Sequence, residues 1–239
     1  MLPAQPNQSL MNGLACLQAV VTSDRPIGSR EVARRLGLEH TRVNRLLGTL
    51  SYLGFIERTA SRKYRPGPGI HVLSAQSLRG SGLLAAALPH LRTLVAEKLI
   101  VAMGVLWDRN ICYLVHATPG LDPGDAIGGH QLYPAHESII GLAIMAHMTD
   151  AQVRTMLAAK PGPLPRKAIA DVLEHVREAR AAGYALQPTP TGRFAVSHVV
   201  GSPPAAAIAF SGIPTRARAV RLAPVLQQVA ETITAELEH

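Results

Sequence analysis

The stretch that decides the reading is REVARRLGLEHTRVNRLLGTLSYLGFIERTASRKYR, Arg30 to Arg65. It divides into two short amphipathic segments around Gly37-Leu38, then two β-prone runs around Ala60-Ser61-Arg62-Lys63. In the first segment Val32, Ala33 and Leu36 share a face, Ser29 is a good N-cap, and Gly37 stands just past the last apolar position, where helices stop. In the second, Val43, Leu46, Leu47 and Leu50 form the apolar stripe, with Leu53 closing it before Gly54. The opposite face carries His40, Thr41, Arg42, Asn44 and Arg45, side chains that can hydrogen-bond base edges or phosphates. Arg reads guanine in a bidentate way and Asn does the same for adenine. The following hairpin, Phe55 to Thr59 and Tyr64-Arg65, has Arg62 and Lys63 at its tip, suited to the phosphate backbone or an adjacent minor groove. A helix-turn-helix with a basic wing is a device for gripping duplex DNA. The candidate DNA contacts are therefore Ser29, Arg30, His40, Thr41, Arg42, Asn44, Arg45, Arg62, Lys63 and Tyr64.

Charge agrees with this placement. The 239-residue chain carries a net +8, and residues 1 to 75 hold 10 Lys and Arg against 4 Asp and Glu. Three quarters of the excess thus falls on the segment that would neutralise phosphates. With aromatic residues at 4%, packing must rest on Ala, Leu, Val and Ile. Cys16 and Cys112 lie far apart on apolar patterns, so neither a disulfide framework nor a CxxC metal site is encoded. No apolar run reaches the roughly 20 residues that span a bilayer, and there is no basic-then-apolar leader, so a cytoplasmic location is expected. Upstream, Ser9 is a possible N-cap for a supporting helix packing through Leu10, Leu14, Leu17 and Val21.

Downstream, Pro66-Gly67-Pro68-Gly69 marks the exit from the wing. Ile70 to Leu78 and Leu83 to Leu99 read as helices broken at Gly80-Ser81-Gly82, with Pro89 kinking or restarting the second. An Ala/Leu-rich helix in this place is a natural dimer contact, although it could simply pack on the next domain. From Val101 the period becomes that of strands: VAMGVLW and ICYLVHAT form a hairpin around Asp108-Arg109-Asn110. A Gly/Pro/Asp-rich loop over 119–130 leads to an extended piece, Gln131 to Pro134. Ser138 and Thr149 are N-caps of two further helices, and a third runs from about Lys167 to Ala182 and ends at Gly183. Strands over Arg193 to Val200 and Ala205 to Gly212 precede a last amphipathic helix from about Thr215 to Leu237. The expected organisation is α+β in two domains: a winged helix-turn-helix over 1–75, linker helices over 76–98, and an effector-binding or oligomerisation domain over 99–239, an antiparallel sheet with packed helices.

On these residues the chain resembles the isocitrate lyase regulator (IclR) family of bacterial transcription factors. Glu31-Val32-Ala33, Gly37-Leu38, Val43 to Leu50, Gly54-Phe55-Ile56 and Tyr64 follow that family's N-terminal pattern. His136-Glu137-Ser138-Ile139-Ile140-Gly141-Leu142-Ala143, Arg180-Ala181-Ala182-Gly183-Tyr184 and Ala209-Phe210-Ser211-Gly212 are similar, in order and spacing, to its effector-domain pattern. The resemblance implies a GAF-like effector domain, a double-stranded DNA operator, a small-molecule effector and homodimers that often pair into tetramers. Leu142 stands where the family has Lys, and Ala209 where it has a pocket Ser.

A cavity is expected on independent grounds. In the strand over 193–200, Phe194, Val196, His198 and Val200 alternate with Ala195 and Ser197; in the next, Ile208 and Phe210 alternate with Ala205, Ala207, Ala209 and Ser211. Small residues facing one another leave space, or let a helix pack closely. With amides offered near Ser138 to Gly141, the expected ligand is a small organic acid, carboxylate or aromatic. His136, Ser138, Ile140, Gly141, Ser197, Ala209 and Ser211 are the candidate effector contacts. His116, His130, His136, His147 and His198 show no metal-ligand spacing, so neither a metal nor a cofactor is expected. No nucleophile elbow, phosphate loop or paired carboxylates point to an enzyme. The remaining alternative is a constitutive DNA-binding protein whose second domain only oligomerises.

Overall fold

The computed structural model describes residues 5–128, 132–159 and 162–238. They form two compact units, 1–81 and 82–239. His130 and Gln131, part of the expected loop and extended piece, lie outside the described residues.

In the first unit, α1 (Gln8–Val21), α2 (Ser29–Leu36) and α3 (His40–Tyr52) pack around Cys16, Val20, Ile27, Val32, Val43 and Leu47. Each fully buried Leu or Ile here contributes about 1.5–3 kcal/mol by leaving water. Gly37 takes a left-handed φ of 63° as the C-cap of α2, a conformation costly for any residue with a Cβ. The wing is β1 (Ile56–Arg58) against β2 (Tyr64–Pro66), with Glu57 opposite Arg65 and ion-paired to it at 2.8 Å. A third element anchors it: Ile27 and Tyr64 exchange backbone hydrogen bonds of 2.9 and 2.8 Å. After the wing, α4 (Pro68–Gly80) buries no residue within this unit.

Two local expectations change. Asn7, not Ser9, caps α1, its side chain accepting from the Leu10 amide at 3.0 Å. The buried face of α1 is Asn12, Cys16 and Val20, whereas Leu10 and Leu14 are 61% and 56% exposed. The helix is apolar on two sides, so its own period cannot say which side meets α2 and α3. Likewise Gly28 occupies the N-cap position of α2 and Ser29 is the first helical residue, its hydroxyl directed to His40. Leu53, the expected end of the α3 stripe, is 56% exposed.

The second unit begins with α5 (Leu83–Leu94), which tolerates Pro89 near its middle, and a 3-10 turn over Val95–Glu97. Its six-stranded antiparallel sheet has the order β5-β4-β3-β8-β7-β6. The strands are β3 (Ile100–Trp107), β4 (Asn110–Ala117), β5 (Tyr133–Pro134), β6 (Ala185–Pro188), β7 (Phe194–Val200) and β8 (Ala206–Ile213). Residues 185–188 form β6, an edge strand not among the expected elements, paired to β7 with Ala185 opposite Ser197. Helices α6 (Ile139–Met145), α7 (Asp150–Ala158), α8 (Arg166–Ala182) and α9 (Arg216–Leu237) complete the unit.

Register explains the layering. Ala102 pairs with Ala209, Ser197 with Ala209 and Val199 with Ala207, giving one face of small groups that packs with Ile140, Leu142 and Leu173 from α6 and α8. Val101 pairs with Phe210, and Met103 and His198 with Ile208, giving the bulky face on the side that α9 covers. The alternation expected for β7 is present from Ala195 onward, and between Phe194 and Ala195 the register against β8 skips Gly212, which bulges there. The small face therefore does two things. Over part of its area it admits α6 closely, and over the rest it leaves open space.

Candidate nucleic-acid interface and effector cavity

Of the candidate DNA contacts, Thr41, Asn44 and Arg45 of α3 are exposed, as are Arg30 of α2 and Arg62 and Lys63 at the wing tip. Arg62 has a φ of 58°, and its amide donates to the Thr59 carbonyl at 2.9 Å, which turns the tip sharply. Glu39 caps α3, its carboxylate accepting from the Thr41 and Arg42 amides at 3.2 and 3.3 Å. Those bonds hold the Glu39 carboxyl below the usual range, the Thr41 contacts counting most. Arg42 is directed back to α1: with the Asn12 amide oxygen turned toward it, its Nη2 and Nε donate at 3.1 and 3.2 Å. Tyr64 is only 7% exposed and belongs to the core, where it anchors the wing. Named as a candidate DNA contact, it is turned inward by the period-2 alternation of the strand.

The second unit holds a cavity of about 1030 Å³. Ala102, Ala195 and Ala209 from the small face of the sheet and Ile139 and Ile140 from α6 line its apolar part. Ser138 and Ser211 are in its wall, so four of the expected effector contacts, Ser138, Ile140, Ala209 and Ser211, are brought together. The other three lie elsewhere. His136 is in the 3-10 turn before α6, its Nε2 3.4 Å from Glu137 Oε1. Gly141 is buried beneath the Ala135 carbonyl. Ser197 donates to the Ile208 carbonyl at 2.8 Å and lines a separate pocket of about 230 Å³ with His147 and Arg180.

Ser138 caps α6 as expected, accepting from the Gly141 amide at 3.4 Å, and also meets the Tyr113 hydroxyl at 3.0 Å. Burial pushes the Tyr113 phenol up, against the opposing effect of Ser138, so it is a neutral hydroxyl near neutral pH. The Tyr113 ring meets His116 and Tyr133 edge-on, with centroids 5.7 and 6.4 Å away. At the rim stand Arg193, whose Nη1 donates to the Gly212 carbonyl at 3.0 Å, and the β6-to-β7 turn from Gln187 to Thr191. Sequence reading missed Tyr113, His116, Tyr133 and Arg193. Only strand pairing brings β4, β5 and β7 to one cavity, though two aromatics and a His clustered over 113–133 were a usable signal.

Residues 9–60 match the family described as the IclR helix-turn-helix domain. This segment, α1 to the wing, is an IclR-type helix-turn-helix domain. A glycerol operon regulatory protein of Streptomyces coelicolor is 28% identical over 182 residues, covering 74% of this chain and 72% of that protein. An IclR family transcriptional regulator from Brucella abortus superposes with a TM-score of 0.79 at 22% identity, over 97% of this chain and 93% of that one. An IclR homolog from Microbacterium hydrocarbonoxydans, complexed with 4-hydroxybenzoate, superposes with a TM-score of 0.66 at 19% identity, covering 97% and 99%. These structures share the fold: an N-terminal helix-turn-helix domain followed by an antiparallel sheet with helices. The helix-turn-helix match lies within the first unit, and none of the described helices is long and apolar enough to cross a membrane.

Proposed function

We propose that this chain is a cytoplasmic, sequence-specific DNA-binding regulator, not an enzyme, whose second unit binds a small aromatic or carboxylate metabolite. One observation carries the ligand reading: the cavity joins a neutral hydroxyl pair, Tyr113 and Ser138, to a small-residue floor and a rim bearing Arg193. A hydroxylated or aromatic body suits the inner part and an acid group suits the rim. The Gly141 amide at the start of α6 is already occupied by Ser138, so the acid group belongs with Arg193. The 4-hydroxybenzoate bound by the Microbacterium relative has both features.

Dimers or tetramers fit the surfaces. Leu10, Met11 and Leu14 on α1 are 61%, 41% and 56% exposed, and Val72 and Leu73 on α4 are 53% and 48% exposed. A dimer would read two half-sites about 34 Å apart. Effector binding would act by favouring one placement of the two DNA modules.

The test is thermal shift of the full chain with 4-hydroxybenzoate, other small carboxylates and glycerol, followed by DNA binding with and without each ligand that shifts it. Stabilisation by an aromatic or carboxylate compound with altered DNA affinity is expected. Stabilisation by glycerol alone would overturn the acid reading. Unchanged melting with every compound would favour the constitutive alternative.

A further inference from the structure

Ser29 and His40 open α2 and α3, and the turn at Gly37 brings them together. Ser29 Oγ lies 3.0 Å from His40 Nε2. Asn44 Nδ2, one helical turn beyond His40, lies 3.2 Å from the same nitrogen. An amide N-H can only donate, so in this arrangement Nε2 accepts, its one lone pair shared between the Asn44 N-H and the Ser29 hydroxyl, and the ring proton sits on Nδ1. Asn44 is then left with its carbonyl oxygen and its second N-H, on the exposed side of α3. That acceptor and donor, side by side, are the pair an asparagine uses on N6 and N7 of adenine. With the amide turned over, both of its outward hydrogens would be donors, a poorer match to adenine.

We propose that His40, steadied by Ser29, is a positioning residue that fixes the amide of Asn44 as a reader of adenine. The inference rests on α3 being the helix that enters the major groove. Helix capping does not account for His40, because Glu39 performs that role through the Thr41 and Arg42 amides. Nor is every polar side chain on this face arranged for reading: with the Asn12 amide oxygen turned toward it, Arg42 engages α1. The three-residue chain Ser29-His40-Asn44 instead links the two helices of the motif at the exposed start of α3. A free asparagine would have to be ordered on binding, whereas one already held presents its pattern without that cost.

The experiment is selection of binding sites from a randomised duplex library by the full chain, with His40→Ala, His40→Gln, Ser29→Ala and Asn44→Ala alongside. The wild-type protein is expected to select adenine at one position per half-site, and Asn44→Ala to lose that preference. His40→Ala should relax the same position by roughly 3- to 10-fold, a fraction of the discrimination a bidentate contact gives, and other positions less. His40→Gln, whose Oε1 can accept the same amide proton, should restore much of it, an outcome that mere packing of the His40 ring would not produce. A His40→Ala profile identical to wild type, or a uniform loss at all positions, overturns the inference. So does a failure of Gln to rescue. If the wild-type protein enriches no sequence at all, the specific-binding reading beneath the inference falls with it. Circular dichroism identifies any variant that fails to fold, and in that case the His40→Gln and Ser29→Ala profiles decide.

Discussion

Replacing Gly141 by Ala sets two effects of opposite sign against each other. Alanine is favoured over glycine in a helix by at most about 1 kcal/mol, less in the first turn where Gly141 lies, because glycine loses more backbone freedom on folding. At this site, however, a Cβ would fall inside the contact distance of the Ala135 carbonyl oxygen and 2.6 Å from its carbon. Both atoms are backbone, and Ala135 is fully buried, so no side chain can swing aside. Relief requires α6 to move away from the turn before it by about an ångström, and overpacking of this kind costs about 1–3 kcal/mol, occasionally more. The upper end applies to a backbone obstruction, so the net loss is about 2 kcal/mol. For a unit of this size that lowers the melting temperature by roughly 4–8 °C. Scanning calorimetry of the full chain should show the drop in the transition of the second unit only. An unchanged or higher melting temperature would refute the argument, since it would mean that helix propensity outweighs the clash.

Other outcomes follow from the same geometry. Arg45→Ala should abolish specific DNA binding, whereas Lys63→Ala should weaken binding to all sequences and flatten its salt dependence, both read by fluorescence anisotropy across a salt series; equal losses on specific and random DNA for both would contradict the division. Tyr113→Phe removes the hydroxyl 3.0 Å from Ser138 and should weaken effector binding about 5- to 10-fold in calorimetric titration, since a neutral hydrogen bond contributes about 1 kcal/mol. Stability should also fall on acidification. Partial burial, then His198 and Arg180, push the His147 imidazole below its ordinary value, so the unfolded chain binds the proton more readily. The stability from neutral His147 is complete above the unfolded value near 6.5 and is lost as the pH falls from there toward the lower folded value. His147→Gln should flatten that part of a melting-temperature profile. At lower pH a second loss should come from Asp150, whose carboxyl is held down by Arg177 and then Arg180; its contribution disappears as the pH falls through the folded value.

Much of the DNA module was legible in the sequence because its signals are local. Gly37 ends a helix in the left-handed conformation wherever that helix sits, and the stripe through Val43 and Leu47 identifies the buried side of α3 by its period. Local patterning also placed the hairpin of β3 and β4 and the caps at Ser138 and Thr149. The tertiary structure decided what local pattern leaves undetermined. α1 is apolar on two sides, and only contact with α2 and α3 buries Cys16 and Val20 while leaving Leu10 and Leu14 exposed. Tyr64 became a core residue because its backbone pairs with Ile27, which lies 37 positions earlier. The cavity was half visible: the run of small residues in β7 and β8 announced space, but α6 fills part of it. What remains is bounded by Tyr113, Tyr133 and Arg193, which strand pairing gathers from three separate stretches. Period and capping are properties of a few consecutive residues, so a sequence displays them directly. The shape of a binding site depends on which distant strands pair and in what register, and that is settled only when the whole sheet closes on its helices.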